Sequence, residues 1–217
     1  GSTTDSLAPV QVDGLQGVVA LTASKYGDVS CAVDDAGTGY CWGANQDGQL
    51  GGGPGPDSSV PVALPFNQAL RSLSAGGNYL CAALADGTVS CWGYNWCYRL
   101  GRDSEGPEDP ATVAGLSGIV DVAAMSAHTC AVDDQGHVWC WGCNGNYGYD
   151  GLLGRGAGTG DTHVPTQVPY VTDAVAITGN DTNACARRGD GSVWCWGGAR
   201  VGNGTATCAF DWDEILL

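Results

Sequence analysis

The chain has 217 residues, among them 36 glycines, 9 prolines and 11 cysteines, and 8 basic side chains face 23 acidic ones for a formal charge of −15. A chain this acidic is repelled by phosphate backbones and anionic bilayers, which excludes nucleic acid as a natural partner, and no apolar run approaches the ~20 residues that span a membrane. Glycine in clusters without a G-X-Y period excludes collagen and describes many short strands and turns, while cysteine at this density belongs to an oxidising compartment, secreted or at the cell surface.

In chain order, residues 2–12 end on a Pro-x-x-Val segment at 9–12, a predicted strand. No signal sequence opens the chain, so it reads as a mature or excised form. A unit then recurs four times. In the first copy, an apolar run at 18–21 leads to a predicted strand at 30–33. An Asp/Gly turn at 34–37 follows, then a second strand ending Cys41-Trp42-Gly43, a Gly-rich loop, and a Pro-x-x-Val-like strand at 61–64. The second copy repeats these parts at 70–73, Cys81, Asp86-Gly87, Cys91-Trp92-Gly93 and 110–113. The third has 119–123, Cys130, 133–136, Cys140-Trp141-Gly142 and 165–168, with an insertion at 144–153. The fourth has 174–177, Cys185, Asp190-Gly191 and Cys195-Trp196-Gly197. It lacks a Pro-x-x-Val strand of its own, and the N-terminal segment has one to spare. Either that segment closes the array within the chain, or the array is open and completed by oligomerisation. Residues 209–217 match no repeat and are expected to dock on a blade edge or a neighbouring molecule.

The cysteine spacing has a geometric meaning. Partners in an antiparallel hairpin lie equidistant from the turn, so Cys31 and Cys41 sit opposite one another, within reach of a disulfide. The same holds for Cys81 with Cys91, Cys130 with Cys140, and Cys185 with Cys195. Chain-entropy reasoning gives roughly 2.8 kcal/mol for each loop of about 11 residues. Along the strand at 138–141, Val138 and Cys140 share one face while Trp139 and Trp141 share the other, so both faces are apolar. Sheets buried on both faces, one per repeat and packed radially, make an all-β propeller of about four blades. The propeller is expected over 1–208, in units of about 9–59, 60–109, 110–164 and 165–208, followed by the 209–217 tail.

The strings Ala127-His128-Thr129-Cys130-Ala131-Val132, Gly136-His137-Val138-Trp139-Cys140-Trp141-Gly142 and Trp42-Gly43-Ala44-Asn45-Gln46-Asp47-Gly48-Gln49-Leu50-Gly51 resemble the regulator of chromosome condensation repeat. The resemblance covers nearly the whole chain and implies a propeller, usually of seven blades. The paired cysteines are similar to those of secreted bacterial members rather than the nuclear exchange factor.

Three cysteines stand outside the template. Cys97 and Cys143 each follow a Trp-Gly in adjacent units and are placed to bridge neighbouring blades, which leaves Cys208 over. Cys140-Trp-Gly-Cys143 is formally a CxxC motif, but Cys140 already has a partner. The Asp-rich hairpin tips, the Arg188-Gly189-Asp190 tripeptide and the sequons at Asn180 and Asn203 are explained by turn chemistry before function. No nucleophile, acid–base pair, metal or cofactor site can be named, so the chain is read as non-catalytic. The functional lead is compositional: Tyr94, Trp96, Tyr98, Arg99, Tyr147 and Tyr149 gather in the loops after Trp-Gly of units two and three. Aromatics and arginine in loops are typical of contact hot spots. The expected role is protein–protein interaction or self-assembly, with a secreted inhibitor of β-lactamase-inhibitor type or a lectin-like glycan binder as alternatives.

Overall fold

The computed structural model describes residues 6–146, 148–156, 158–198, 201 and 209–215, the last seven by backbone alone. Four four-stranded antiparallel sheets follow one another along the chain. The first is β1 (Val18–Ala23), β2 (Val29–Asp34), β3 (Gly39–Gly43) and β4 (Ser58–Ala63). The second is β5 (Leu70–Ala75), β6 (Tyr79–Leu84), β7 (Val89–Asn95) and β8 (Gly106–Thr112). The third runs β9 (Ile119–Ala124), β10 (His128–Asp133) and β11 (Val138–Gly142). After a small hairpin, β12 (Gly145–Asn146) and β13 (Tyr149–Asp150), it ends on β14 (Thr162–Gln167). The fourth is β15 (Ala174–Gly179), β16 (Asn183–Arg188), β17 (Val193–Gly197) and β18 (Ala209–Ile215). The first strands of successive sheets touch one another, so they lie innermost, and the sheets fan outward as propeller blades.

Strand β18 pairs antiparallel with β17, Cys195 opposite Asp213. The edge seat that the N-terminal segment was a candidate to fill is therefore taken by the tail, and residues 9–12 lie outside any sheet.

The central hairpins have the register that the cysteine spacing requires. Cys31 faces Cys41, Cys81 faces Cys91, Cys130 faces Cys140 and Cys185 faces Cys195. Their Cα atoms are 4.1–4.2 Å apart and each pair is disulfide-bonded. This short approach belongs to the closer, non-hydrogen-bonded type of antiparallel pair. The Trp-Gly that follows marks a bulge. Gly142 has φ +109°, and a Cβ there would sit 2.7 Å from the Ala127 carbonyl oxygen, so only glycine lets β11 pass the start of β10.

The core is a series of inter-sheet joints rather than one central mass. Between the first and second sheets, Val29, Cys31, Val33, Leu50 and Leu64 meet Leu70, Leu80, Ala82 and Trp92. Between the second and third, Tyr79, Cys81, Val89, Leu100 and Val113 meet Ile119, Val122, Ala131 and Trp141. Between the third and fourth, Cys130, Val132, Val138, Leu153 and Val168 meet Ala174, Ile177, Ala186 and Trp196. Each sheet thus presents a half-cystine face forward and a tryptophan face backward. One polar bond locks each joint. The indole N–H of Trp92 donates to the Gln49 carbonyl at 2.8 Å, that of Trp141 to Arg99 at 3.0 Å, and that of Trp196 to Leu152 at 3.0 Å.

Those carbonyls are held in place by an asparagine in the preceding loop. The amide oxygens of Asn45, Asn95 and Asn144 accept from the backbone N–H of Leu50, Leu100 and Leu153 at 3.0–3.1 Å. The repeated Trp-Gly-x-Asn and Leu-Gly elements are two halves of one device: the asparagine shapes a turn, and the turn receives the next sheet's tryptophan.

Candidate interaction rim

In an up-and-down sheet, the turn from first to second strand and the loop from third to fourth leave by the same end. Both sets therefore gather on one rim. Arg99 shows the gathering directly. From the second sheet's long loop it donates through Nε to the Tyr94 carbonyl at 2.9 Å. Through Nη1 it reaches the Ser126 carbonyl, in the first turn of the third sheet, at 2.8 Å. Its guanidinium lies 4.6 Å from the Tyr79 ring centroid and 5.9 Å from that of Tyr94.

Only 6% of Arg99 is exposed, and burial pulls its pKa down. Its cation rests on carbonyls and aromatic faces, and the same residue's carbonyl receives Trp141 and the Thr129 hydroxyl. Arg99 therefore supports the rim from below. Beneath it, Tyr79 is fully buried. Its hydroxyl donates to the His128 carbonyl at 2.8 Å and accepts from the Met125 N–H at 2.9 Å, and burial pushes its pKa up to about 12.

The other aromatic candidates divide by exposure. Tyr94 is 38% and Trp96 45% exposed, a large apolar surface to leave in water. Tyr98 is half-buried, with its ring 5.9 Å from that of His163 in an edge-on arrangement. Tyr149 is half-buried in the β12–β13 hairpin. Tyr147 lies outside the described residues, as does Cys208.

A disulfide between Cys97 and Cys143 ties the loop of the second sheet to that of the third, with Cα atoms 5.4 Å apart. Cys97 and Tyr98 have φ of +58° and +62°, a left-handed pair unusual for non-glycine residues. The cross-link and this backbone together set the direction of the Trp96–Tyr98 segment. Asp161 stands beside the bridge, with one carboxylate oxygen 3.4 Å from the Cys97 sulfur and the other accepting from the Asn144 N–H at 2.8 Å. The three ligand-type atoms of Cys97, Cys143 and Asp161 lie within 4.8 Å of one another, but both sulfurs are committed to the disulfide. The Cys140/Cys143 spacing likewise resolves into two separate bridges, to Cys130 and Cys97.

Exposure differs among the bridges. Cys81, Cys91, Cys130 and Cys140 are fully buried, whereas Cys97 is partly open to solvent. Thiol–disulfide exchange needs access. Under limiting phosphine and rapid alkylation, Cys97 and Cys143 are expected to carry label before these four. Mass mapping that found a fully buried pair labelled first would contradict this order.

Nearer the axis, the rim holds a group that sequence reasoning missed. Lys25 Nζ lies 2.5 Å from Asp181 Oδ2, and the Tyr26 hydroxyl donates to the same oxygen at 2.7 Å. The bond to Asp181 raises the Lys25 pKa. These side chains, with Gly76, Met125 and Ser126, line a depression of about 150 Å³ that draws on all four sheets. Lys25 and Asp181 are 156 residues apart, so no local pattern announces their pairing.

Comparison with known proteins adds the following. Models described as the regulator of chromosome condensation (RCC1) repeat match residues 36–83 and 119–148. The chain is 35% identical to the E3 ubiquitin-protein ligase HERC2 of Homo sapiens over 93% of its own length and 4% of that protein. It is 30% identical to the RCC1 domain-containing protein RUG3, mitochondrial, of Arabidopsis thaliana over 91% of its length and 46% of the relative. The chain thus spans less than half of either relative. Among solved structures, human WBSCR16 superimposes with a TM-score of 0.83 at 21% identity, over 96% of this chain and 55% of that one. Yeast RCC1 (Prp20), solved bound to Kap60, gives 0.70 at 21% identity over 92% and 49%. Likeness at such identities speaks for the β-propeller fold alone.

Proposed function

Because the chain belongs to the regulator of chromosome condensation repeat family of β-propellers, we propose that it is a non-catalytic module that binds a protein partner through its aromatic rim. The observation that carries this reading is the presentation of Tyr94 and Trp96. Both are large and exposed, Tyr94 near the end of β7 and Trp96 just beyond it, where the Cys97–Cys143 bridge and the Arg99 bond to the Tyr94 carbonyl fix the chain. A rigid aromatic pair supplies contact area with little ordering cost on binding. Solved yeast RCC1 is itself seen with a protein, Kap60, which is consistent with partner binding by this fold. The five disulfides support an extracytoplasmic setting, where oxidised cysteine persists.

The test compares proteins captured from the native source by the wild-type chain, by a Tyr94→Ala/Trp96→Ala variant, and by Gln68→Ala on the opposite rim. Partners lost with the double variant and kept with Gln68→Ala support the reading. Partners retained by the double variant, with its fold intact by circular dichroism, would remove the rim from consideration.

A further inference from the structure

The Cys97–Cys143 bridge is set apart from the hairpin bridges by its place and by its neighbour. A hairpin pair sits inside a strand ladder whose backbone pairing itself holds the two cysteines opposite one another. Cys97 and Cys143 instead lie just beyond β7 and β11, on two different loops, with Cα atoms 5.4 Å apart. Asp161, the residue before β14, reaches the same point from a third direction. One of its oxygens is pinned at 2.8 Å by the N–H of Asn144, the residue next to Cys143. The other faces the Cys97 sulfur at 3.4 Å. A half-cystine has no hydrogen to give, so among the described residues this oxygen has a sulfur neighbour and no donor.

Taken as ligands, the three groups fit together. The Sγ atoms of Cys97 and Cys143 and a carboxylate oxygen of Asp161 lie within 4.8 Å of one another. A tetrahedral zinc ion holds sulfur at about 2.3 Å and carboxylate oxygen at about 2.1 Å, so its ligand atoms stand roughly 3.6–3.8 Å apart. Parting the two sulfurs to that spacing asks for side-chain rotation on loops rather than movement of a strand. Asp161 is exposed and Cys97 partly so, which gives an ion a way in and leaves water for the fourth place. The Asn144 N–H orients the carboxylate as an outer hydrogen bond orients a metal ligand. Charge favours a cation as well. Arg99, in the same loop as Cys97, is turned inward to the Tyr94 and Ser126 carbonyls, and Asp161 has no ion-pair partner among the described residues.

We propose that reduction of the Cys97–Cys143 bridge converts this corner of the rim into a binding site for a thiophilic divalent cation of the zinc class, with Cys97, Cys143 and Asp161 as its protein ligands. The chemistry has two steps. A small-molecule dithiol breaks the sulfur–sulfur bond and leaves two cysteine thiols, while its own sulfurs close into a cyclic disulfide. The cation then displaces the two thiol protons to solvent. The ion restores the tie between the loops of the second and third sheets that reduction removed.

Cobalt(II) reports the site, because thiolate ligands give it an intense near-ultraviolet charge-transfer band that carboxylates do not. The full chain is reduced with limiting phosphine, freed of reductant without air, and titrated with cobalt and then zinc. The reduced wild-type chain should bind one cobalt with the thiolate band and lose the band to zinc, and the oxidised chain should show no band. Cys97→Ser and Cys143→Ser, treated alike, should each lose most of the band and bind cobalt at least roughly tenfold more weakly. Both variants keep every other cysteine, Cys208 included, so the contrast isolates this pair whatever else is reduced. Asp161→Asn should keep the band and weaken cobalt by roughly tenfold or more. A reduced wild-type chain without the band, a band of full strength in either serine variant, or equal affinity in Asp161→Asn would each overturn the proposal. So would loss of the fold on reduction, followed by circular dichroism, because the site needs both loops in place.

Discussion

Trp141→Ala is expected to lower the free energy of unfolding by about 4 kcal/mol, within the range for truncating a fully buried tryptophan. The side chain is 0% exposed, fills the joint between the second and third sheets, and gives its indole N–H to the Arg99 carbonyl. Truncation opens a cavity among Leu100, Val113 and Ile119 and removes one of two donors to that carbonyl. Trp141→Phe keeps most of the ring and is expected to cost about 1–2 kcal/mol, chiefly for the lost hydrogen bond. Trp42→Ala is the internal control. It is the same residue at the same repeat position but is only half-buried, so it should cost well under half as much. Urea titrations followed by far-ultraviolet circular dichroism measure all three. Equal losses for Trp42→Ala and Trp141→Ala would show that the residue matters within its own sheet and not in the joint.

Stability is also expected to fall by about 3 kcal/mol between neutral pH and pH 4 through His128 alone. The imidazole is buried without exposure at the start of β10, and neither ring nitrogen has a hydrogen-bond partner among the described residues. Burial pushes its pKa down to about 4 from an ordinary value of 6.5. Between those values the unfolded chain holds a proton that the folded chain refuses. The contribution is therefore complete above pH 6.5 and is lost as the pH falls toward 4. The carboxylates act in a lower window. The side-chain hydrogen bond from Gln68, helped by Thr88, holds Asp86 down to about 2. His128→Leu should flatten the pH 4–6.5 slope and leave the steeper fall below it. The substitution is reasonable because Val29 and Tyr79 occupy the equivalent position in the first two sheets. An unchanged slope in the Leu variant would mean that other groups carry the acid sensitivity.

Both expectations rest on contacts that the sequence does not display. What it does display is local. The cysteine pairs lie ten residues apart on either side of an Asp/Gly turn, so their register follows from hairpin symmetry. Likewise, alternating Val-Trp-Cys-Trp fixes which side chains share a face. The hidden features join distant positions. Trp92 meets Gln49 across 43 residues, and Lys25 meets Asp181 across 156. A repeat tells that such partners exist without telling which atom faces which.

Arg99 is the instructive case at the rim. Its residue type and its aromatic neighbours mark a surface contact, yet the side chain turns inward because two carbonyls and the Tyr79 face can neutralise it there. The tail docks on a blade edge, one of the two outcomes expected of it, but which edge it takes was hidden for a different reason. The segment 209–215 has no repeat signature, and backbone pairing with β17 asks for none.

The asparagine-held turn tolerates loops of unequal length. Asn45 and Asn95 reach a leucine five residues on, whereas Asn144 reaches one nine residues on, with the β12–β13 hairpin inserted between. Trp196 still finds its carbonyl behind the longer loop, as Trp92 does behind the shorter one. Length can thus vary between the asparagine and the leucine, provided the residue just before the leucine keeps its carbonyl aimed at the next sheet's tryptophan. The scaffold has a built-in grafting port on this side, where a recognition segment can be lengthened or exchanged while the neighbouring sheets keep their spacing.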